Sequence, residues 1–409
     1  MDVTPPFTSA LRRRLSLPLL TLYGLGITIG AGIYVLIGAV AGHAGAHAPW
    51  AFLLAGLAMA FTVGSYAELA TRIPVAAGEA AYMRAAFHSR LASTLTGFLT
   101  VFIGIVSSAT VALGSAGYIA QFVAAPPALI VIVVVAVLGA VAAWGILESV
   151  LLASLFTLIE AGGLVIIIAT GLYAELPLTA AFSPPPLEPQ VLSGIAFASL
   201  LAFFAFIGFE DLANVVEEAK LPHRDIPRAM LLTLVVSTVL YLMVAAIAVA
   251  AVPPAVLAAD PAPLSLVFRS LAGISPATIS LIAIAATLNT ILAQMTMAAR
   301  VIYGMARQGD LPSHIGHVHP KTATPLIATA LIVAGTLVLA LLFPFERLAE
   351  LTSLATLLVF ALVNLSLIKL RRAERHIHGP HRPRLRVPLW VPAVGLAVCL
   401  AMMLAAALA

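Results

Sequence analysis

The chain has 409 residues, 62% of them hydrophobic and only 9% charged, whereas soluble domains carry roughly 25% charged residues. That balance excludes a soluble globule, and the single cysteine, Cys399, excludes an internal disulfide framework or a multi-thiolate metal site. A net charge of +4 is read as basic loops beside a membrane rather than a nucleic-acid surface, so no nucleic-acid partner is expected.

Apolar runs of about 20 residues can cross a hydrocarbon core of about 30 Å, and such runs recur along the whole chain. Arg12-Arg13-Arg14 precedes an apolar run over 17–41, too long for the hydrophobic region of a signal peptide, which is read as a retained first span. Spans two to five are placed at 48–69, 91–123, 128–144 and 150–172. A proline-rich linker at Ser183-Pro184-Pro185-Pro186 separates this group from spans at 194–216, 229–252, 274–305, 325–343 and 348–368, and an eleventh span covers 387–408. The chain is thus read as one all-α polytopic domain over 1–409, in contact with lipid throughout.

With the N-terminus placed in the cytoplasm, the segments 72–90, 217–228, 306–324 and 369–386 fall on the same side. Of the 21 Lys and Arg, only Arg269 and Arg347 then lie outside, which is the asymmetry that orients multi-span proteins. The expected location is the plasma (inner cell) membrane. The basic run 369–386, with His376, His378 and His381, reads as a surface anchor near anionic lipids.

The first span contains Gly24, Gly26, Gly30, Gly32 and Gly38, most tightly at Ile29-Gly30-Ala31-Gly32-Ile33; the sixth is interrupted at Phe206-Ile207-Gly208-Phe209-Glu210. Glycine breaks at corresponding positions of two halves point to a binding site at the bilayer midplane. An unpaired peptide group in lipid is costly, so unwound backbone persists only where it lines a cavity or meets a ligand. Freed amides at a helix N-terminus favour a carboxylate, and freed carbonyls accept from an ammonium group, so a zwitterionic amino acid satisfies both. For any single glycine the alternative is close helix packing, as Gly26-xxx-Gly30 or Gly38-xxx-Gly42 would allow.

Two carboxylates lie inside spans, Glu160 in the fifth and Glu210 in the sixth. A charge at the bilayer centre costs at least about 2.5 kcal/mol, so each needs a partner, water or a proton. Glu210 is expected to tie the unwound segment to its neighbours. His43 and His47 are spaced i, i+4 but sit among small residues at the outer end of the first span, where a metal site is not expected; His314, His317 and His319 lie in a basic loop and are read as solvated or headgroup-contacting.

The stretch Gly26-Ile27-Thr28-Ile29-Gly30-Ala31-Gly32-Ile33-Tyr34 resembles the first-helix motif of amino acid permeases of the amino acid, polyamine and organocation superfamily. Phe204-Ala205-Phe206-Ile207-Gly208-Phe209-Glu210, running into Glu217-Glu218-Ala219-Lys220-Leu221-Pro222-His223-Arg224-Asp225-Ile226-Pro227, is similar to the same family, as are Pro74-Val75-Ala76-Ala77-Gly78-Glu79-Ala80-Ala81-Tyr82 and Tyr303-Gly304-Met305-Ala306-Arg307-Gln308-Gly309-Asp310-Leu311-Pro312. The resemblance implies a leucine-transporter-like fold of two inverted five-helix repeats, 17–172 and 194–368, plus an extra helix at 387–408. It implies that the substrate carboxylate meets amides of the first-helix break at Ala31 and Gly32, with Gly30 also in the binding site, and that the amino group meets carbonyls near Thr28, Ile207 and Gly208. Phe204 would gate the site, and Gln294 would approach the side-chain pocket. In some proton-coupled relatives a lysine of the fifth helix replaces a sodium ion; Glu160 stands at that position and departs from the lysine pattern, leaving a proton, a cation or a structural hydrogen bond as its load.

The expected function is secondary active transport of a neutral amino acid by alternating access, without a bound cofactor and coupled to a proton or a sodium ion; exchange and a transport-silent sensor are the alternatives. An embedded enzyme would need a positioned nucleophile and base, which the spans lack, and a channel filter would be repeated about an oligomer axis. Gly32→Leu is expected to fill the carboxylate position and abolish binding.

Overall fold

Proline stands at the first or second position of seven of the fifteen described α-helices, where its missing N–H leaves no bond unmade. The computed structural model describes residues 15–30, 32–74, 78–144, 150–273, 275–322, 324–374 and 385–408. The first expected span is two helices, α1 (Leu17–Ile29) and α2 (Gly32–Ala44), followed by α3 (Ala48–Arg72). A short α4 (Gly78–Phe87) occupies the next connection, and α5 (Arg90–Ile119), α6 (Pro127–Trp144) and α7 (Val150–Tyr173) complete the first half. The sixth span is also divided: α8 (Pro189–Phe204) ends early, and tight turns lead into a 3-10 helix at Phe209–Ala213. Beyond it come α9 (Pro222–Ala251), α10 (Pro254–Ala259), α11 (Pro263–Ala272), α12 (Ala277–Arg307), α13 (Leu326–Leu342), α14 (Phe345–Glu374) and α15 (Trp390–Leu408).

Among the described residues, eight helical stretches are long and apolar enough to cross a membrane, with Gly32–Arg72 taken as one. Leu17–Ile29, Leu326–Leu342 and Trp390–Ala406 are shorter apolar helices, so the segments expected to span are all helical. Two kinds of difference from the sequence reading have simple causes. α9, α12 and α14 run past their expected ends, because hydropathy marks only the part in hydrocarbon while helical hydrogen bonding continues into polar turns. The helices α4, α10 and α11 lie in segments read as loops; they are too short to leave a membrane-length apolar signal.

Polar side chains are set into an otherwise apolar interior. Thr62, Ser65, Glu68, Glu160, Thr233, Gln294 and Asn364 are buried, while Leu129, Val133 and Val137 on α6 and Leu155, Leu158 and Val165 on α7 face outward. Lipid is as apolar as leucine, so helices in it associate through close packing and polar contacts rather than through apolar burial.

One end of the bundle carries the basic connections. There Glu68 of α3, fully buried, accepts from Arg72 and from the backbone N–H of Val387 at 2.8 Å, with Arg371 of α14 at 3.4 Å. Arg72 reaches on to Glu374, and Arg371 donates to the carbonyl of Val387. These bonds fasten α3, α14 and the approach to α15 together. Glu68→Gln leaves Arg72 and Arg371 short of a buried counter-charge, and an expected loss of about 3 kcal/mol follows from breaking such a pair. Thermal unfolding of the purified protein in detergent should register it as a clearly lower midpoint.

Candidate functional site

α1 stops because Gly30, with φ 6° and ψ −114°, turns the chain out of helical geometry after its N–H has bonded to the carbonyl of Gly26 at 3.2 Å. α8 stops in another way. The amides of Ala205, Phe206 and Ile207 bond three residues back, to Ala202, Phe203 and Phe204, at 3.0, 3.0 and 3.1 Å. Gly208 then takes φ 128°, which excludes most side chains. Its N–H donates to Glu210 Oε2 at 2.8 Å, so Glu210 caps the amide at the break.

The two breaks lie against each other. A Cβ on Gly208 would stand 2.5 Å from Ile27 Cγ2 and 3.0 Å from the Ile27 carbonyl carbon, and one on Gly32 would overlap Ala205 Cα. The last carbonyls of a helix have no amide ahead of them, and here both ends share one donor. The hydroxyl of Tyr241, from α9, lies 2.7 Å from the carbonyl oxygen of Thr28 and 2.8 Å from that of Ala205. The rings of Phe206 and Phe52 pack edge-on against Tyr241, at 5.0 and 5.7 Å, and hold it in place.

Further hydroxyls brace the surrounding helices. Tyr34 of α2 donates to the backbone carbonyl of Glu160 at 2.6 Å, Tyr118 of α5 donates to the carbonyl of Tyr34 at 2.6 Å, and Thr157 of α7 donates to that of Leu22 at 3.0 Å. Glu160 is fully buried and accepts from Asn289 Nδ2 of α12 at 3.3 Å. Asn289 also lines a cleft between α1, α7 and α12, together with Tyr23, Gly26, Ile27, Thr157 and Thr290. Two buried polar atoms near these elements, Thr28 Oγ1 and Gln294 Oε1, have no hydrogen-bond partner among the described residues.

Thr28, Gly30, Gly32, Ile207 and Gly208 therefore sit at the breaks, Phe204 ends α8 in a buried position, and Gln294 lies buried on α12 one turn beyond Thr290. Ala31 lies outside the described residues. Two contacts bear on these expectations. The Thr28 carbonyl is engaged by Tyr241 rather than standing open, because the helix end has to be satisfied within the protein. Gly32 abuts the backbone of Ala205, so a leucine there would collide with the sixth span before reaching any ligand, and Gly32→Leu probes helix approach rather than an anion seat. His43, exposed at the outer end of the first span, packs against Phe197 at 4.6 Å and stands 3.7 Å from Glu346 of α14.

Tyr241, Asn289, Thr157 and Tyr34 were not singled out in the sequence. A tyrosine in an otherwise apolar helix is itself a signal, since a buried hydroxyl needs a partner. Tyr241→Phe leaves two helix-end carbonyls without their donor, at an expected cost of about 1 to 3 kcal/mol. Thermal unfolding of the variant beside wild type measures it, and an unchanged midpoint would show that the hydroxyl holds neither break.

The sequence matches the amino acid permease family model over residues 15–409. It is 30% identical to the branched-chain amino acid permease BcaP of Bacillus subtilis, over 97% of this chain and 88% of that protein. It is 29% identical to the methylthioribose transporter of Bacillus subtilis, over 96% of this chain and 88% of that one. With the mitochondrial cationic amino acid transporter 3 of Arabidopsis thaliana it shares 30% identity over 88% of this chain, which spans 63% of that longer relative. The two facing helix breaks thus sit in an integral, multi-pass membrane protein that belongs to the amino acid permease family, a family of transporters and not of enzymes.

Proposed function

We propose that this permease is a secondary active transporter of neutral amino acids, working by alternating access in the plasma membrane with its N-terminus in the cytoplasm. The observation that carries the reading is the pair of facing breaks, where helix-end peptide groups from two spans converge on one point. Such ends offer amide donors to a carboxylate and carbonyl acceptors to an ammonium group. The orphaned Gln294 Oε1 and Thr28 Oγ1 add buried polar atoms with hydrogen-bonding capacity to spare. A neutral substrate is favoured because the residues beside the end of α1, Tyr23, Gly26, Ile27, Thr157, Asn289, Thr290 and Ala293, include no charged side chain. The name of BcaP, a branched-chain permease, points the same way. A repeat of five spans, inverted in the second half, accounts for a break at the start of each group.

Coupling to a proton is assigned to Glu160. Supporting this reading, Glu160 accepts a hydrogen bond from Asn289, a residue that lines the gap beside the end of α1. One proton nearly suffices on the membrane potential alone. About a hundredfold gradient of a neutral solute stores about 2.7 kcal/mol, and one proton moving through about 100 mV releases about 2.3 kcal/mol, before any pH difference is added.

Uptake by proteoliposomes across a panel of neutral, cationic and acidic amino acids tests the substrate class, and preferential uptake of cationic substrates would overturn it. Gln294→Leu, of similar volume, is expected to raise KM about tenfold with the protein intact, the worth of one hydrogen bond in a buried site. Glu160→Gln should abolish the dependence of uptake on an imposed pH gradient while leaving substrate exchange measurable; full retention of that dependence would assign Glu160 a structural role.

A further inference from the structure

The segment 303–312 and the turn after α4 meet in a polar knot that the transport reading does not use. Asp310, its side chain 2% exposed, accepts from Arg90 Nε at 2.6 Å and lies 3.5 Å from Arg84 Nη2. Arg90 Nη2 also donates to the carbonyl of Gly309 at 2.5 Å, across a turn that Gly309 makes at φ 77°. Burial alone would raise the Asp310 carboxyl, but hydrogen bonds from Arg90 and Thr94 and the charges of Arg90 and Arg84 outweigh it and hold the carboxyl below the usual range. One anion therefore faces two guanidinium groups, and a positive charge is left over.

Both arginines remain open to solvent, 44% exposed for Arg84 and 64% for Arg90, although the aspartate fixes where they stand. With them, His88 and Gln308 line an open cleft of about 400 Å³. His88 is held at φ 52°, a left-handed conformation that residues other than glycine seldom adopt. Directly beyond Arg90, Leu91, Leu95, Phe98 and Phe102 are all exposed, at spacings that place them along one face of α5. A cleft with surplus positive charge thus opens onto an apolar stripe that descends along a spanning helix. Free phosphate would match the cleft alone; a phosphate carrying acyl chains matches the cleft and the stripe.

We propose that this cleft is a binding site for an anionic phospholipid, with its phosphate held by Arg84, Arg90, His88 and Gln308 and a chain lying on Leu91, Leu95 and Phe98. The lipid bridges α4, the start of α5 and the end of α12, and so fastens the connection between the second and third spans to the eighth.

Native mass spectrometry of the detergent-solubilised full chain, offered phosphatidylglycerol and phosphatidylcholine together, tests the assignment. Wild type is expected to retain phosphatidylglycerol over phosphatidylcholine by about fivefold, the scale set by one surplus cation, and Arg84→Gln with His88→Gln should bring the ratio close to one. Asp310→Asn, which removes the anion and keeps the cations, should retain the lipid at least as well as wild type. Millimolar inorganic phosphate should leave retention unchanged. Equal retention of the two lipids by wild type, an unaltered ratio in the double variant, or loss of the lipid from folded Asp310→Asn overturns the proposal. Displacement by inorganic phosphate overturns it too, and reassigns the cleft to a soluble anion.

Discussion

Every peptide group inside a bilayer needs a hydrogen-bond partner from the protein, and the architecture follows from how this chain meets that demand where its helices stop. α1 and α8 both end in the middle of the bundle, each leaving carbonyls with no amide ahead of them. One hydroxyl, that of Tyr241, stands between the carbonyls of Thr28 and Ala205, and one carboxylate, that of Glu210, takes the amide of Gly208. The interruptions are thereby supplied with partners from the protein itself. They are also brought together, because a single donor can serve two helix ends only if both lie within about 3 Å of it.

The same logic organises the shell around them. Hydroxyls from Tyr34, Tyr118 and Thr157 each bond a backbone carbonyl of another helix, stitching α2 to α7, α5 to α2 and α7 to α1. The two interrupted spans are joined again at the basic end, where Leu15 pairs with Glu218 and Lys220 through bonds of 3.0 and 2.9 Å. Contacts at both the breaks and the basic end make α1 and the segment after α8 a linked pair. α7 and α12 face this pair through the Glu160–Asn289 bond and the adjoining cleft. That is where a change in protonation acts on the joint between them, if Glu160 carries the proton as we propose.

Much of the fold was legible because hydropathy and positive charge are one-dimensional signals. Each of the eight helical stretches long and apolar enough to cross a membrane falls on an expected apolar run, and the glycines at 30 and 208 located both interruptions. The motif around 303–312 stood out as well, though its partners did not. Asp310 meets Arg84 and Arg90, more than two hundred positions earlier in the chain, and no local pattern announces such a meeting. The helices α4, α10 and α11 were missed for a related reason, since short amphipathic turns outside hydrocarbon leave no long apolar run.

Residue by residue, the candidate site divides along the same line. The sequence by itself determined that the chain would be an all-helical membrane protein interrupted at Gly30 and Gly208, because lipid admits few alternatives and glycine loosens a helix wherever it is placed in one. Only the tertiary structure decided that the breaks touch, that Tyr241 rather than an open space meets Thr28, that Gly32 lies against Ala205, and that Glu160 faces Asn289. Those are contacts between helices, fixed by the depth and rotation at which each one packs, and the composition of a helix specifies its solvent far more closely than its neighbours.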